Sequence, residues 1–277
     1  MPVPFTAYRS NGDVLHSLRS MLAPWGLAIA SITAVLPEAI AAPISWGVAT
    51  TISGDSDVST TGSLLYAYNF GSLSVAAATV NGVTFAPFAL PSSTGPGIPV
   101  TVGDVSISES PGDLLGDYIF SGSSAPFANL SSSYRDLLKS GATGGESGTV
   151  TLLLGGLTPG HSYDFQWWSN DSSGVTPLWH DTVATATNSV TLLGNGSPTN
   201  GSVGQFAIGS FTADAATLSI MFDSVAGSGP FWPLINGFQV RDVSSPVPEI
   251  DPAGIGSVLA LVTGALGLLE RRRSRLA

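Results

Sequence analysis

The sequence contains no cysteine, and this absence removes several classes of functional site. Without thiols the chain has no cysteine nucleophile, no disulfide bond and no cysteine-ligated zinc or iron–sulfur centre. Histidine is also scarce, with 3 residues among 277. Acid–base chemistry and metal binding would therefore depend mainly on carboxylates.

Basic residues are the second shortage. The chain has 9 Lys+Arg against 19 Asp+Glu, a net charge of −10. Residues 43–246 contain 3 basic and 14 acidic residues, so this part alone carries −11. Because a nucleic-acid backbone attracts basic surfaces, a chain with this acidic balance is expected to have no nucleic-acid partner.

The first 42 residues have the pattern of an export signal. A weakly positive start precedes the uncharged apolar run 21–36, and small residues follow at Ala39 and Ala41, the two positions that signal peptidase reads before its cut. The positive start consists of Arg9, His16 and Arg19. We predict a signal peptide over 1–42, cut after Ala41 or Ala42. The alternative, an N-terminal membrane anchor, would be short for a bilayer span.

Residues 245–277 have a second targeting pattern. The motif 247–252 begins with Val247, Pro248 and Glu249, and an apolar segment occupies 253–269. At ~1.5 Å per residue, a helix over 252–269 would span about 27 Å, close to the thickness of a bilayer core. The basic tail 270–277 would keep the C-terminus cytoplasmic. Its arginines are Arg271, Arg272, Arg273 and Arg275.

This order of parts resembles the PEP-CTERM sorting signal, in which a Pro-Glu-Pro motif, an apolar helix and an Arg-rich tail close the chain. The resemblance implies an exported protein that is anchored in the inner membrane as an intermediate. Cleavage by an exosortase would then release it to the cell surface or extracellular matrix. The implied partners are signal peptidase, the exosortase and, transiently, the membrane. Ile250 replaces the second proline of the motif, and Pro252 follows two positions later, so the cleavage position stays open. An ordinary tail anchor is the alternative.

Residues 43–244 are predicted to form one β-rich domain. Short segments rich in β-branched and aromatic residues are separated by Gly, Pro, Asn, Asp and Ser. The predicted strands are 63–70, 104–109, 148–154, 161–169, 204–212, 216–222 and 234–240. Asn81-Gly82 predicts a tight hairpin, and 134–139, with N-cap candidates at 131–133, predicts a short helix. We therefore predict an all-β, antiparallel, jelly-roll-like sandwich with one or two short helices.

Several segments of this domain also resemble known sandwiches. The turn at 156–163 (GLTPGHSY) is similar to an edge found in fibronectin-like and galactose-binding-like domains. Residues 165–171, 204–214 and 235–240 resemble strands of PEP-CTERM surface proteins, and the last resembles the closing strand of a jelly roll. These resemblances imply a sandwich fold and leave the ligand open.

No catalytic residue is predicted. Glu109 with Asp113 or Asp117 could form the carboxylate pair of a glycosidase, but acidic loop residues are most often simply solvated. His161 and His180 are not accompanied by the nucleophile-elbow motif of serine hydrolases. We expect no enzymatic activity.

Calcium is the one candidate cofactor. Asp55 and Asp57 follow Gly54, and Asp171 follows Asn170, so that oxygen ligands lie on predicted turns. In the alternative interpretation these aspartates bond their own backbone and cap the turns.

Aromatic residues provide the candidate ligand site. Trp167 and Trp168 are adjacent on one predicted strand, so their side chains point to opposite faces. The apolar alternation predicts that Trp167 is buried and that Trp168 is the more exposed of the two. Exposed aromatic rings beside polar groups are typical of sugar-binding surfaces. The candidate glycan contacts are Trp168, Trp179, Trp232 and Asn170. Alternatively, Trp168 covers an edge or packs under the helix.

The sequence is therefore interpreted as that of an exported, non-enzymatic surface or matrix protein. Its role would be structural or adhesive, with extracellular polysaccharide as the candidate partner. A secreted glycan hydrolase and an inert coat or stalk component are the alternatives.

The targeting patterns predict that the mature protein lacks both ends of the chain. Cleavage after Ala41 or Ala42 and a second cleavage near 247–252 would remove the N-terminal residues and the basic tail. Intact-mass measurement of the protein from its native host tests this. Finding residues before Pro43, or the tail after Leu269, in most molecules would contradict it.

Overall fold

The computed structural model describes residues 44–145, 148–174, 180–225 and 232–244. The predicted signal peptide with Ala39 and Ala41 lies outside these residues, as do the sorting motif 247–252, the apolar segment 253–269 and the basic tail. Trp179 lies outside them too. In the part that is described, no helix is both long and apolar enough to cross a membrane.

The described residues form sixteen short strands and one α-helix. In chain order the strands are β1 Ser45–Trp46, β2 Thr50–Thr51, β3 Ser63–Ser72, β4 Ala78–Val80, β5 Val83–Leu90, β6 Val100–Val102, β7 Val105–Ser110, β8 Ala142–Thr143, β9 Thr149–Leu154, β10 Ser162–Ser169, β11 Thr182–Ala186, β12 Asn188–Leu192, β13 Gln205–Thr212, β14 Leu218–Ser224, β15 Leu234–Ile235 and β16 Gly237–Asp242. The helix α1 is Ser132–Leu138, and two 3₁₀ turns are Asp55–Asp57 and Phe127–Asn129.

Most strands belong to two sheets that pack face to face. The eight-stranded sheet has the order β1-β13-β10-β16-β3-β5-β4, with β2 also paired to β13. The six-stranded sheet has the order β12-β11-β14-β9-β7-β6 and is antiparallel throughout. Strands β8 and β15 form a small third sheet. The predicted β-sandwich is thus confirmed, while the finer jelly-roll assignment stays a prediction.

One strand pair departs from the expected antiparallel arrangement. Strand β5 pairs with β3 in parallel, with Tyr68 opposite Ala86. The chain leaves β3, forms β4 one position farther out, turns at Asn81-Gly82 and returns as β5 in the gap. Both turn residues have positive φ, 48° and 76°, as the predicted tight hairpin requires. Because this hairpin docks through its second strand, β5 has to run parallel to β3.

The strand predicted at 234–240 is interrupted by Asn236. Strand β15 ends before this residue and pairs with β8, whereas β16 begins after it and lies inside the eight-stranded sheet, between β10 and β3. The Asn236 side-chain amide donates to the carbonyls of Leu138 at 3.0 Å and Ser140 at 2.9 Å. Its oxygen accepts from the Asn170 backbone N–H at 2.6 Å. The interruption therefore ties the end of α1 to the sheet.

The space between the two large sheets is filled by buried apolar side chains. Trp167 of β10 meets Phe222 of β14 edge-on, with ring centroids 4.9 Å apart, and so joins one sheet to the other. Phe238 of β16 packs between Phe70 and Phe165, at 5.6 Å from each. Trp167 is fully buried, which confirms the prediction for its face of the strand.

The outer face of the eight-stranded sheet is buried as well. Helix α1 and residues 52–62 lie over it and form a second apolar cluster with Trp168. Trp168 is fully buried, its Nε1 donates to the Tyr134 hydroxyl at 2.9 Å, and its ring meets Phe85 edge-on at 5.5 Å. The prediction that Trp168 is the more exposed of the two tryptophans is therefore wrong, because the helix covers this face and both side chains are fully buried. The alternative, packing beneath the helix, is what the structure has.

The helix begins at one of the predicted N-cap residues and buries the face predicted from the sequence. The Ser131 side chain accepts from the Tyr134 backbone N–H at 3.1 Å and caps the first turn. Tyr134, Leu137 and Leu138, three and four residues apart, are all buried. Packing of this apolar face is what places α1 over Trp168.

Three polar side chains on the covered face hold the irregular segment 57–62. The Gln166 side chain accepts a hydrogen bond from the Ser59 N–H at 2.9 Å and donates one to the Asp57 carbonyl at 2.6 Å. Gln239 donates to the Ser59 carbonyl at 2.9 Å and to the Gln166 oxygen at 2.7 Å. Arg241 donates to three successive carbonyls of the segment at 2.7–3.0 Å. Backbone groups without strand partners are thereby satisfied.

Burial of both faces of β10 predicts that its two tryptophans matter equally for stability. Trp167→Ala and Trp168→Ala should each lower the free energy of unfolding by ~3–5 kcal/mol, since each leaves a large cavity. Chemical denaturation at 25 °C measures this. Leu73→Ala is the control, because Leu73 is exposed, and it should change stability by less than ~0.5 kcal/mol. A Trp168→Ala variant as stable as Leu73→Ala would refute the burial argument.

Candidate functional site

A cluster of aromatic side chains lies at the end of the sandwich where β10 finishes. It consists of Tyr118, Phe120, His180 and Trp232, and we call it the end cluster. His180 lies two positions before β11, and Trp232 lies two positions before β15. Tyr118 and Phe120 belong to the connection between β7 and α1. Three separate parts of the chain therefore meet here.

Backbone hydrogen bonds fix the loop that carries the first two rings. The Phe120 N–H donates to the Lys139 carbonyl at 2.8 Å, and the Phe120 carbonyl accepts from the Ser172 N–H at 2.7 Å. Phe120 is buried, whereas Tyr118 is 42% exposed and Ile119 is 63% exposed. The loop thus presents Tyr118 from an anchored base.

The rings of the end cluster are in mutual contact. Tyr118 lies nearly parallel to Phe120, at an interplanar angle of 22° and a centroid distance of 6.3 Å. Its ring is 5.6 Å from that of Trp232. His180 lies 5.1 Å from Phe120 and 6.1 Å from Trp232. The exposed Tyr118 ring is therefore supported by buried or partly buried rings, which limits its motion.

A buried polar pair lies behind these rings. His180 Nδ1 donates to the Trp232 carbonyl at 3.2 Å, and His180 Nε2 is 3.6 Å from an Asp171 carboxylate oxygen. Burial lowers the pKa of His180, and the Asp171 carboxylate and the bond to the Trp232 carbonyl oppose that shift. The other Asp171 oxygen accepts from the Ser173 N–H at 3.0 Å and hydroxyl at 2.6 Å. This pair fixes the orientation of the imidazole.

The structure describes three of the four residues predicted to contact a glycan, since Trp179 lies outside the described residues, and it separates these three. Trp232 belongs to the end cluster, while Trp168 and Asn170 are fully buried and cannot touch a surface ligand. The Asn170 side chain instead donates to the Leu138 carbonyl at 3.3 Å and accepts from the Gly204 N–H at 3.0 Å. Asn170 is predicted as a glycan contact because it is a polar residue beside the tryptophans, but the end of α1 lies over it, as its bond to the Leu138 carbonyl shows.

Sequence analysis missed Tyr118. The signal that could have found it is the run Tyr118-Ile119-Phe120, three large apolar residues outside every predicted strand. Apolar residues in a loop either anchor it or form a binding surface, and this run does both, since Phe120 is buried and Tyr118 is exposed.

The three aspartates predicted as calcium ligands do not come together. Asp55 and Asp57 share one 3₁₀ turn, whereas Asp171 lies beside His180. Asp57 accepts from the Ser53 N–H at 2.7 Å and from the Tyr134 hydroxyl at 3.1 Å, and so acts as a turn cap. Within residues 44–145, 148–174, 180–225 and 232–244, no three acidic or histidine side chains are grouped to hold a metal ion. Calcium binding stays a prediction.

Glu109 is deeply buried rather than placed in an open cleft. It is 1% exposed, its Oε1 accepts from the Gly112 N–H at 3.3 Å, and its Oε2 has no hydrogen-bond partner. Two glycines lie directly against the Glu109 carboxylate. A Cβ added at Gly112 would lie 3.0 Å from Oε2, and one added at Gly148 would overlap Oε1. Asp113 bonds the Ser93 hydroxyl instead. In this position Glu109 cannot reach a glycosidic bond.

The remaining histidine is at the opposite end of β10. His161 Nδ1 is 2.7 Å from the Asp242 carboxylate, and both side chains are partly exposed. His161 precedes the first residue of β10, while the end cluster follows the last. The two histidines therefore belong to separate sites.

Comparison with known proteins adds no family. No protein-family model matches the chain, and no curated protein matches it. A solved chain from a study of the promiscuous specificity of carbohydrate-binding modules of the β-sandwich superfamily is 14% identical, over 56% of this chain and 71% of that one. Its TM-score is 0.13, so this likeness carries no argument about fold or function.

The burial of Glu109 predicts a specific dependence of stability on pH. Burial raises the pKa of Glu109, and the N–H groups of Gly112 and Gly145 only partly oppose the shift. The folded state therefore holds this proton more tightly, so its contribution to stability is present below pH 4.5 and is lost as pH rises through the raised value. The Glu109→Gln side chain cannot ionise. As the pH rises from 4 to 7, the melting temperature of this variant should therefore increase relative to that of the wild type.

Asp117→Asn is the control for the change in net charge, since it removes one negative charge from an exposed position in the connection that follows β7. Thermal unfolding of all three proteins across this pH range gives the comparison. If Glu109→Gln and the wild type keep a constant difference in melting temperature, the buried carboxyl does not titrate as argued.

Proposed function

We propose that this protein is an exported, non-enzymatic surface or matrix protein that binds polysaccharide through the end cluster. The observation that carries the binding proposal is the exposed Tyr118 ring, held against Phe120 and Trp232 beside the edge of the sandwich. A rigid, half-exposed aromatic ring can stack on the apolar face of a sugar and loses little entropy in doing so.

Polar groups next to the ring fit the same ligand class. Asp117 is exposed and adjacent to Tyr118 in sequence, and its carboxylate can accept hydrogen bonds from sugar hydroxyls. The net charge of −11 over 43–246 disfavours acidic polymers, because like charges repel. The proposed ligand is therefore an uncharged glycan rather than an acidic one.

The export part of the proposal depends on the ends of the chain. The small residues at Ala39 and Ala41 and the motif at 247–252 with its Arg-rich tail support signal-peptidase cleavage followed by exosortase sorting. A protein that ends at the cell surface or in a polysaccharide matrix would meet extracellular glycans at high local concentration. The two parts of the proposal are thus consistent, and each has its own test.

Removal of the Tyr118 ring should weaken glycan binding without unfolding the domain. Screening the protein on an array of uncharged glycans identifies a ligand, and titration of that ligand with Trp fluorescence gives the affinity. Tyr118→Ala should raise Kd at least tenfold, which corresponds to ~1.4 kcal/mol. The matched control is Ile119→Ala, a neighbouring and more exposed apolar residue, which should leave Kd unchanged.

Other outcomes favour the alternatives. An absence of binding to every glycan supports an inert coat or stalk component, and release of shortened glycans during incubation supports a hydrolase. Equal weakening by Tyr118→Ala and Ile119→Ala would mean that the loop matters only as a whole.

A further inference from the structure

The outer face of the six-stranded sheet is an accessible surface on which ten of fourteen side chains bear a hydroxyl. Strand register places its outward residues in three rows across the sheet. The first row is Thr101, Ser106, Leu153 and Ser219; the second is Ser108, Thr151, Met221, Thr185 and Ser189; the third is Ser110, Thr149, Asp223, Val183 and Thr191. We call these fourteen residues the hydroxyl face.

The hydroxyl face differs from the rest of the domain in charge. Its rows contain ten hydroxyls, no basic residue and one acidic residue, Asp223, which accepts a hydrogen bond from Thr149. The other nine hydroxyls have no side-chain hydrogen bond to any part of the chain that the structure describes. The acidic residues of a domain that carries −11 are thus nearly absent from this face.

The face is also regular, and no part of the chain that the structure describes covers it. Neighbouring strands are ~4.8 Å apart and alternate residues along a strand are ~6.7 Å apart, so the hydroxyls form a grid. Most of the residues in these rows are exposed or half-buried, including Leu153 and Met221 near the centre. The outer face of the other sheet, by contrast, is buried under α1 and residues 52–62.

We propose that the hydroxyl face binds the flat surface of an ordered, uncharged polysaccharide in which chains lie side by side. This inference rests on the proposed function and adds a second surface and a class of polymer to it. Each hydroxyl can donate and accept a hydrogen bond, as can each sugar hydroxyl. One such bond gains little because it replaces a bond to water, so binding needs many bonds formed together by a rigid grid.

Charge and composition favour this occupant over the others. An acidic polymer would be repelled by the surrounding negative domain. A second copy would bring another −11 to the contact, and only three of the fourteen residues are apolar, well below the apolar share of stable dimer interfaces. An uncharged polysaccharide meets neither obstacle.

A charge placed in the centre of the face tests the proposal. Thr151 lies in the middle row between Ser108 and Met221, and a buried carboxylate there would lose its hydration on contact with the polymer. The full chain is mixed with suspensions of microcrystalline cellulose and of chitin, and the protein that sediments with the particles is measured. Wild type should bind at least one suspension, equally at 0.1 and ~1 M salt because no charge pairs are involved. Thr151→Glu should reduce the bound fraction at least fivefold.

The matched control is Thr84→Glu, the same change at an exposed strand position of the other sheet, which should bind like the wild type. Thermal unfolding confirms that each variant is folded, and Ser108→Glu replaces Thr151→Glu if the latter is not. Normal particle binding by the folded variant, or no particle binding by the wild type, overturns the inference. A doubling of mass in solution that Thr151→Glu abolishes also overturns it, in favour of a second copy.

Failure of this inference is distinguishable from failure of the proposed function. Binding of a soluble cellohexaose or chitohexaose reports on the end cluster and should respond to Tyr118→Ala but not to Thr151→Glu. If Tyr118→Ala has no effect on the soluble ligand while Thr151→Glu abolishes particle binding, the hydroxyl face stands and the end-cluster site falls.

Discussion

Gln166 lies at the centre of the hydrogen bonds that hold the irregular segment 57–62 against the outer face of the eight-stranded sheet. With Gln239 and Arg241 it supplies partners for backbone groups that have no strand beside them. An uncompensated buried backbone group costs free energy comparable to a lost hydrogen bond, so the segment could not lie on a purely apolar face. Because it does lie there, together with α1, Trp168 is enclosed and the sheet becomes a two-sided core.

This covering decides where a ligand can bind. With both faces of β10 buried, the aromatic residues of its centre are unavailable. Among the aromatic residues that the structure describes, the most exposed is Tyr118 of the end cluster, which lies where the chain leaves the strand. Within the described residues no helix or segment covers the outer face of the six-stranded sheet, and its outward side chains are exposed or half-buried. The two proposed contacts with polysaccharide therefore occupy the two regions that the covering layer leaves open, one rich in rings and one rich in hydroxyls.

The scarcity of basic residues at the surface is increased by the burial of Arg241. Arg241 is one of 3 basic residues between 43 and 246. It lies inside the domain, where its guanidinium donates to carbonyl groups rather than to carboxylates. Burial lowers the pKa of Arg241, but the carbonyl oxygens still satisfy its donors. The surface thus keeps its negative charge almost uncompensated, whereas the outer face of the six-stranded sheet carries one acidic residue, Asp223.

The sequence by itself determined those features that depend on neighbours along the chain. Alternation gave the strands, Asn81-Gly82 gave the hairpin, and Ser131 with the spacing of Tyr134, Leu137 and Leu138 gave the helix and its buried face. These signals are local, since each depends on φ/ψ preferences and side-chain period. Strands β11 and β12 were not predicted. They meet at Thr187, whose φ of 69° is unusual for a β-branched residue, so the sequence contains no ordinary turn signal between them.

Only the tertiary structure decided which faces are covered and which loops meet. The exposure of Trp168 depended on the docking of α1, which lies over a strand some thirty residues away in the chain, and no pattern within 161–169 could report it. In the same way Tyr118, His180 and Trp232 form one cluster through contacts distant in sequence. Side-chain period fixes that adjacent residues point to opposite faces, but burial of each face is set by whatever packs on it.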